Sequence, residues 1–262
     1  FGAFIIALNN IGLLKINSKA LLEINSTPQM MIATRHGNTP VKKGDKLAGT
    51  RIIPLVIEEE KMKALQKNIL TITNRKPVLE LIPYSFKKVG IVTTGSEVYK
   101  GRIKDTFTPV LINKLSEFNT EIIGHIKTDD NDKMTTDAIN ELLDKGADFI
   151  LCTGGMSVDP DDRTPLAIKN TGASIVSYGA PVLPGAMFLL AYLPAINEGK
   201  PNRVICGLPG CVMYAKRTIF DLILPRIMAN DIITKEDIAA LGEGGLCLGC
   251  QTCTYPNCGF GK

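Results

Sequence analysis

Along residues 88–230, short continuously apolar runs alternate with segments whose apolar positions recur at helical spacing. "VGIVTT" reads as a strand buried on both faces, because a strand covered on one side only would alternate apolar and polar residues, and "TEIIGHI" and "DFILC" read as the next two strands. Between them, "TFTPVLINKLSEF" puts Phe107, Val110, Leu111, Leu115 and Phe118 on one helical stripe, with Asp105 or Thr106 as the cap and Pro109 tolerable only near the first turn. "DKMTTDAINELLDKG" predicts a second helix, opened by Asp132, closed by Gly146 and striped by Met134, Ala138 and Leu142. Further on, "TPLAIKNTG" reads as a short helix and "ASIVSY" as a strand. "MFLLAYL" and "NRVICGLP" read as strands joined by the polar turn "NEGKPN", and "CVMYAKRTIFDLILPRIM" as one long closing helix. Strands alternating with helices in this way predict an α/β fold with a mostly parallel sheet covered on both faces.

Before residue 88 the rhythm differs. "GLLKIN", "KALLEIN", "MMIAT" and "GTRIIPLVI" read as short β-like pieces separated by turn signals such as His36-Gly37-Asn38 and Lys43-Gly44-Asp45, which predicts a small β-rich module. "EEEKMKALQKNI" follows as a helix, and "NRKPVLELIPYSFKK" as a linker with a short strand. The predicted divisions are residues 1–87, 88–230 and a helix with a cysteine-rich tail over 231–262. The apolar opening is too short for a spanning helix and lacks the basic start and small-residue cleavage site of a secretory leader. It reads as the cut end of a longer chain.

Composition adds bounds rather than identity. The 262 residues are 45% hydrophobic and 21% charged, as in ordinary soluble proteins, and a net charge of +4 without a block of like charges gives no sign of nucleic acid. The cations Arg35, Lys42, Lys43, Lys46 and Arg51 read as a solvated face before an anion site. Of seven cysteines, Cys152, Cys206 and Cys211 lie in or beside apolar runs and read as buried thiols. The other four, in "CLGCQTCTYPNCGFGK", form C-x2-C-x2-C-x4-C. This places Cys247, Cys250, Cys253 and Cys258 within reach of one tetrahedral zinc or one iron–sulfur cluster and predicts a reducing, cytoplasmic setting.

Candidate chemistry concentrates where strands end. In open parallel sheets ligands sit beyond the carboxyl ends of the strands, and three loops leave such ends: "TTGSEVYKGRIKD", "TGGMSVDPDDRT" and "GLPGC". Each carries glycine, and the first two add hydroxyls, the residues that let a backbone approach a phosphate. Asp159, Asp161 and Asp162 would repel a phosphate unless Mg²⁺ lies between them or some have other work. The structural alternative is that Pro160 makes a turn, Asp161 is solvated and Asp162 caps the helix near Thr164. Of the two histidines, His36 and His125, neither belongs to a triad, and His125 reads as a packed or edge residue.

The runs "GIVTTGSEVYKGRIKDTF", "KTDDNDK", "ILCTGGMSVDPDDRTP" and "VICGLPGCVMYAKRTIF" resemble, in order and spacing, the molybdopterin-binding domain of molybdopterin adenylyltransferases and molybdotransferases over about residues 88–228. The resemblance implies a three-layer α/β/α sandwich and adenylyl transfer from Mg-ATP to the pterin phosphate. It implies catalytic roles for Asp105, in Gly101 to Asp105, and for Asp162, ahead of Thr164 and Pro165. Thr94, Gly95, Ser96 and Glu97, then Thr153, Gly154, Gly155 and Ser157, and finally Gly207, Leu208, Pro209 and Gly210 would line the pterin and nucleotide. Expected partners are these small molecules, a molybdenum enzyme or another cofactor-biosynthesis protein, and a second copy of the chain, with neither nucleic acid nor membrane.

Two departures matter. Where molybdotransferases read K-P-G-K-P, this chain has Leu183-Pro184-Gly185-Ala186-Met187, and the usual Asn-Pro after "GLPG" is Cys211-Val212. A loop without lysines argues against molybdate handling, and suits a non-enzymatic carrier or sensor of molybdopterin. "DDRTPLAI" also resembles the D-D-x-T of nucleotide pyrophosphatases related to competence-damage proteins, which implies ADP-ribose hydrolysis as a further alternative.

Overall fold

The computed structural model describes residues 2–8, 11–54, 56–157, 159, 162–195 and 197–262. The chain divides into two compact units between Tyr84 and Ser85. Val158, Pro160 and Asp161 lie outside the described residues, and with them the expected turn at Pro160 and the solvated Asp161.

The first unit contains β1 (Gly2–Ile6), β2 (Gly12–Ile16), α1 (Ser18–Ser26), β3 (Met30–Thr34), β4 (Thr39–Val41), β5 (Lys46–Ile52), α2 (Glu59–Ile72) and β6 (Leu79–Pro83). Its strands form two three-stranded antiparallel sheets, β1-β5-β3 and β4-β2-β6. Leu14, Val41 and Leu47 lie in a small core. "KALLEIN", expected as a β-piece, is helical. Asn17 accepts a hydrogen bond from the Ala20 amide at 3.0 Å, and that N-cap decides an apolar run too short to declare its own period. Of the basic residues of this unit, Arg35 pairs with Asp45 at 2.8 Å, and Lys46 lies over the Phe4 ring.

The second unit is the α/β domain. It runs β7 (Lys87–Thr94), α3 (Ser96–Tyr99), α4 (Phe107–Leu115), β8 (Thr120–Thr128), α5 (Asp132–Asp144), β9 (Phe149–Thr153), α6 (Thr164–Asn170), β10 (Ser174–Tyr178), β11 (Leu189–Leu193), β12 (Arg203–Leu208), a 3₁₀ turn (Gly210–Met213), α7 (Ile219–Met228) and α8 (Lys235–Ala240). The six-stranded sheet has the order β10-β11-β12-β9-β7-β8. β12, β9, β7 and β8 pair in parallel, and β11 alone runs against its neighbours.

Alternation along β7 assigns the layers. Val92 joins the core formed with Ile139 and Leu142 of α5 and Ile168 of α6. Thr93 points to the other face, where its hydroxyl meets Thr108 of α4. Lys114 of α4 in turn bonds Asp221 of α7, so α4 and α7 share that second face. Glycine sets the closeness of α5: a Cβ on Gly124 would fall 2.6 Å from a Leu142 methyl, and one on Gly90 2.9 Å from the other.

Two helix boundaries differ from expectation. Asn131, not Asp132, caps α5 by accepting from the Met134 amide. The long closing helix is broken: after the 3₁₀ turn the chain opens, and α7 begins only at Ile219. Thr218 and Asp221 form a reciprocal capping box there, accepting from each other's backbone amides. Among the described residues, no helix is long and apolar enough to cross a membrane.

Candidate functional site

The sheet order makes β7 and β9 a topological switch point. From β7 the chain leaves toward β8 on one side, and from β9 it leaves for the strands on the other, so the two outgoing loops diverge and leave a crevice at the carboxyl ends. β12 lies beside β9 and delivers the "GLPG" loop to the same end. The three loops singled out from the sequence thus leave three adjacent strands. Thr106, in the loop after β7, donates to the Met213 sulfur at 3.2 Å and ties the first loop to the turn after the third.

Gly154 and Gly155 shape the middle loop. Both have left-handed φ, +83° and +57°, and a Cβ on Gly154 would lie 2.0 Å from the Thr94 carbonyl oxygen. Only glycine permits that approach between the ends of β9 and β7. Thr164 completes the turn by donating its hydroxyl to the Gly154 carbonyl at 2.8 Å. Gly207 is similarly enclosed by the Met156 side chain. Leu208 and Pro209 are buried, while Gly210 reaches the surface.

Asp105 caps α4. One carboxylate oxygen accepts from the Phe107 and Thr108 amides at 2.9 and 3.0 Å, and the other from the Thr108 hydroxyl at 2.6 Å. His125, on the neighbouring strand β8, brings Nε2 to 3.3 Å from that second oxygen, 3.0 Å from the Thr93 hydroxyl and 3.2 Å from that of Thr108. Thr108 commits its single proton to Asp105, so the shared network is consistent with Nε2 carrying a hydrogen and donating to the threonine oxygens. Burial by itself would raise the Asp105 pKa, but the Thr108 and Phe107 hydrogen bonds and the His125 charge outweigh it and hold the carboxyl below its usual range. Burial lowers the His125 pKa, with Asp105 opposing and Lys127 reinforcing that shift. This histidine, which reads from sequence as a packed residue, stands beside the first candidate carboxylate; only the β7/β8 register could have revealed it.

Asp162 does not cap α6. Its carboxylate folds back to accept from the Ser157 amide at 2.6 Å, while its own amide donates to the Asp159 carbonyl at 2.9 Å. Helix α6 starts with no side-chain cap. The loop is therefore closed on itself, and Tyr178 donates to the Ser157 carbonyl at its edge.

The hydroxyls expected to face a ligand divide into two groups. Thr94 and Thr153 are buried, and their hydroxyls bond inward to Thr128 and Thr93. Ser96 gives its amide and hydroxyl to Asp130, at 3.0 and 2.8 Å, which pins the acidic loop after β8 against the loop after β7. Glu97 and Ser157 are exposed. Along these loops Gly154 and Gly155 are half-buried and Ser157 is exposed, whereas the Asp105 side chain is only 7% exposed.

The cysteines also divide. Cys152 and Cys206 are fully buried, and desolvation pushes the Cys152 pKa up to about 12, so it is an inert thiol. Cys247, Cys250, Cys253 and Cys258 line one cavity. However, among the described residues no three His, Cys, Asp or Glu side chains are placed to hold a metal ion between them. The metal site expected from the cysteine spacing, for zinc or an iron–sulfur cluster, is therefore not assembled among the described residues.

Residues 90–229, just over half of the chain, match the family model described as "Probable molybdopterin binding domain". The chain belongs to this molybdopterin-binding domain family, which is tied to molybdenum cofactor biosynthesis. It is 25% identical over 158 residues to a molybdopterin molybdenumtransferase of Synechococcus elongatus, covering 57% of this chain and 38% of that protein. It is 34% identical over 85 residues to a CinA-like protein of Pseudothermotoga lettingae, covering 32% of this chain and 21% of that one. The chain thus spans well under half the length of these relatives. Among solved structures, the tungsten cofactor synthesizing protein MoaB from Pyrococcus furiosus aligns at a TM-score of 0.44 with 20% identity, over 55% of this chain and 93% of that one.

Proposed function

We propose that the crevice between the β7 and β9 loops binds molybdopterin and transfers an adenylyl group to it from Mg-ATP. The observation that carries this reading is the placement of Asp105 and Asp162 on the two loops that diverge at the switch point. The pterin phosphate oxygen would attack the α-phosphorus of ATP; a new P–O bond forms as the bond from the α-phosphorus to the α,β-bridging oxygen breaks, and pyrophosphate leaves as the magnesium complex. The protein's task in such a reaction is alignment and charge placement, and no nucleophilic side chain is required. Asp105, kept ionised by its hydrogen bonds, would supply fixed negative charge for the metal–nucleotide. Gly154, Gly155 and Ser157 would take the pterin side, and the "GLPG" backbone the far wall.

A carrier role is the second reading. It is favoured by the inward commitment of both carboxylates, Asp105 to α4 and Asp162 to the Ser157 amide, and by a 183–187 loop that holds no lysine. Such a carrier would hand the pterin to a molybdenum enzyme or another biosynthetic protein in the cytoplasm.

Incubation with molybdopterin, ATP and Mg²⁺, followed by mass spectrometry, separates the readings. Adenylylated pterin that disappears in Asp105→Asn and Asp162→Asn supports the transferase. Stoichiometric pterin binding without turnover supports the carrier. Cleavage of ADP-ribose in a parallel reaction, with no pterin bound, contradicts both.

A further inference from the structure

His125 and Asp105 meet from different elements. The ring stands on β8 and the carboxylate on the loop after β7, with the hydroxyls of Thr93 on β7 and Thr108 on α4 between them. The Asp105 side chain is nearly buried and that of His125 partly so, so water competes little for the inner bonds. The donors and acceptors each group has to give then fix the direction of every bond.

Oδ1 of Asp105 is taken by two amides, those of Phe107 and Thr108. Oδ2 accepts the Thr108 hydroxyl at 2.6 Å and faces the Thr93 hydroxyl at 3.4 Å and His125 Nε2 at 3.3 Å. A ring nitrogen without hydrogen, that close to a carboxylate oxygen, would set lone pair against lone pair, whereas an N–H is attracted. Its nearest acceptor is the Thr93 oxygen, at 3.0 Å. Thr153 donates to the same oxygen at 3.4 Å. With both lone pairs of Thr93 used, its own proton is left for Oδ2 of Asp105. With the hydrogen on Nδ1 instead, Thr93 would donate to Nε2 and Asp105 would lose that bond. One ring tautomer thus decides how many donors hold the carboxylate.

The same hydroxyl joins the two sides of the crevice. Thr153 directly precedes Gly154 at the end of β9, so Thr93 links the glycine turn of the middle loop to Asp105 of the first.

We infer that His125 is a positioning residue for the proposed transfer: its Nε2–H directs the Thr93 hydroxyl onto Asp105 and so fixes the carboxylate that serves Mg-ATP. It acts through Thr93 and Asp105 without touching the nucleotide, and this role rests on the adenylyl-transfer reading given above. The chain has two histidines, and His36 lies in the first unit, so nitrogen-15 histidine spectra resolve His125 once His36→Gln has assigned the other ring. The neutral His125 ring should carry its hydrogen on Nε2. Turnover is followed with molybdopterin, ATP and Mg²⁺. His125→Leu should lower kcat at least about tenfold while KM for either substrate changes less than about twofold. His125→Gln, whose amide N–H can donate from the same place, should recover most of the rate, and His36→Gln should leave it unchanged. In an Asp105→Asn background His125→Leu should add no further loss, because the two residues act as one unit. A neutral ring with its hydrogen on Nδ1, or a His125→Leu loss that multiplies with that of Asp105→Asn, would overturn the role. A wild-type chain with hydrogen on Nε2 and no turnover would instead overturn adenylyl transfer and leave the hydrogen-bond scheme standing.

Discussion

The Asp105 carboxylate, just ahead of α4, and the His125 imidazole, within β8, stand 3.3 Å apart, joined through the hydroxyls of Thr93 and Thr108. The pair fixes the first loop of the crevice to the sheet, and its titration makes that attachment sensitive to acid.

The sign of that sensitivity follows from two lowered pKa values. Asp105 titrates below its ordinary 3.8 in the fold, so its stabilisation is present above 3.8 and disappears as pH falls through the lowered value. His125 titrates below 6.5; the folded state resists its protonation, so stability also declines as pH drops below 6.5 toward the folded value. Denaturant unfolding measured across pH should therefore show two acid steps. His125→Gln should remove the upper step and keep the lower one.

Replacing Asp105 by Ala removes the acceptor for two helix amides and should cost about 1–2 kcal/mol by denaturant unfolding. Asp105→Asn keeps one acceptor oxygen and much of the cap. Asp162→Asn likewise still accepts from the Ser157 amide. Both asparagine variants should remain folded by circular dichroism while adenylyl transfer falls at least about a hundredfold.

Asp221 anchors the second face. Its side chain is almost fully buried, accepts from Lys114 at 2.7 Å and from Arg217 at 2.9 Å, and closes the capping box with Thr218. Asp221→Ala leaves the Lys114 ammonium largely buried without this partner and should destabilise the domain by about 3–5 kcal/mol in chemical denaturation.

Gly154 and Gly172 have nearly the same φ, +83° and +82°, but a Cβ on Gly172 meets nothing within 4 Å. Gly172→Ala should cost only backbone strain, of order 1 kcal/mol. Gly154→Ala must also push the Thr94 carbonyl away. It should lower the melting temperature further and weaken pterin binding at least about tenfold, as read by fluorescence titration.

The parallel core was legible because β7 and β9 are largely apolar runs and because Ala138 and Leu142 of the expected α5 stripe are buried, joined by Ile139 and Leu143, while Met134 is only half-buried. The crevice loops could be placed because their glycines follow those strands directly. Helix α1 was not legible: Leu21, Leu22 and Ile24 fit a strand as well as a helix, and the deciding hydrogen bond comes from Asn17. The late start of α7 was encoded in Thr218 and Asp221, a local signal overridden by the longer apolar period around it. The pairing of His125 with Asp105 depends on strand register across 20 positions, which no local pattern carries. The cysteine spacing was plain, whereas Arg217 and Lys216 reach it only through the fold.

The most direct test of the account is native mass spectrometry of the chain with molybdopterin, before and after addition of ATP and Mg²⁺. The expected result is one pterin per chain, a gain of one adenylate on the bound pterin after ATP, and binding weakened at least about tenfold in Gly154→Ala. An unliganded chain at saturating pterin, or binding unaffected by Gly154→Ala, would contradict the assignment of the crevice.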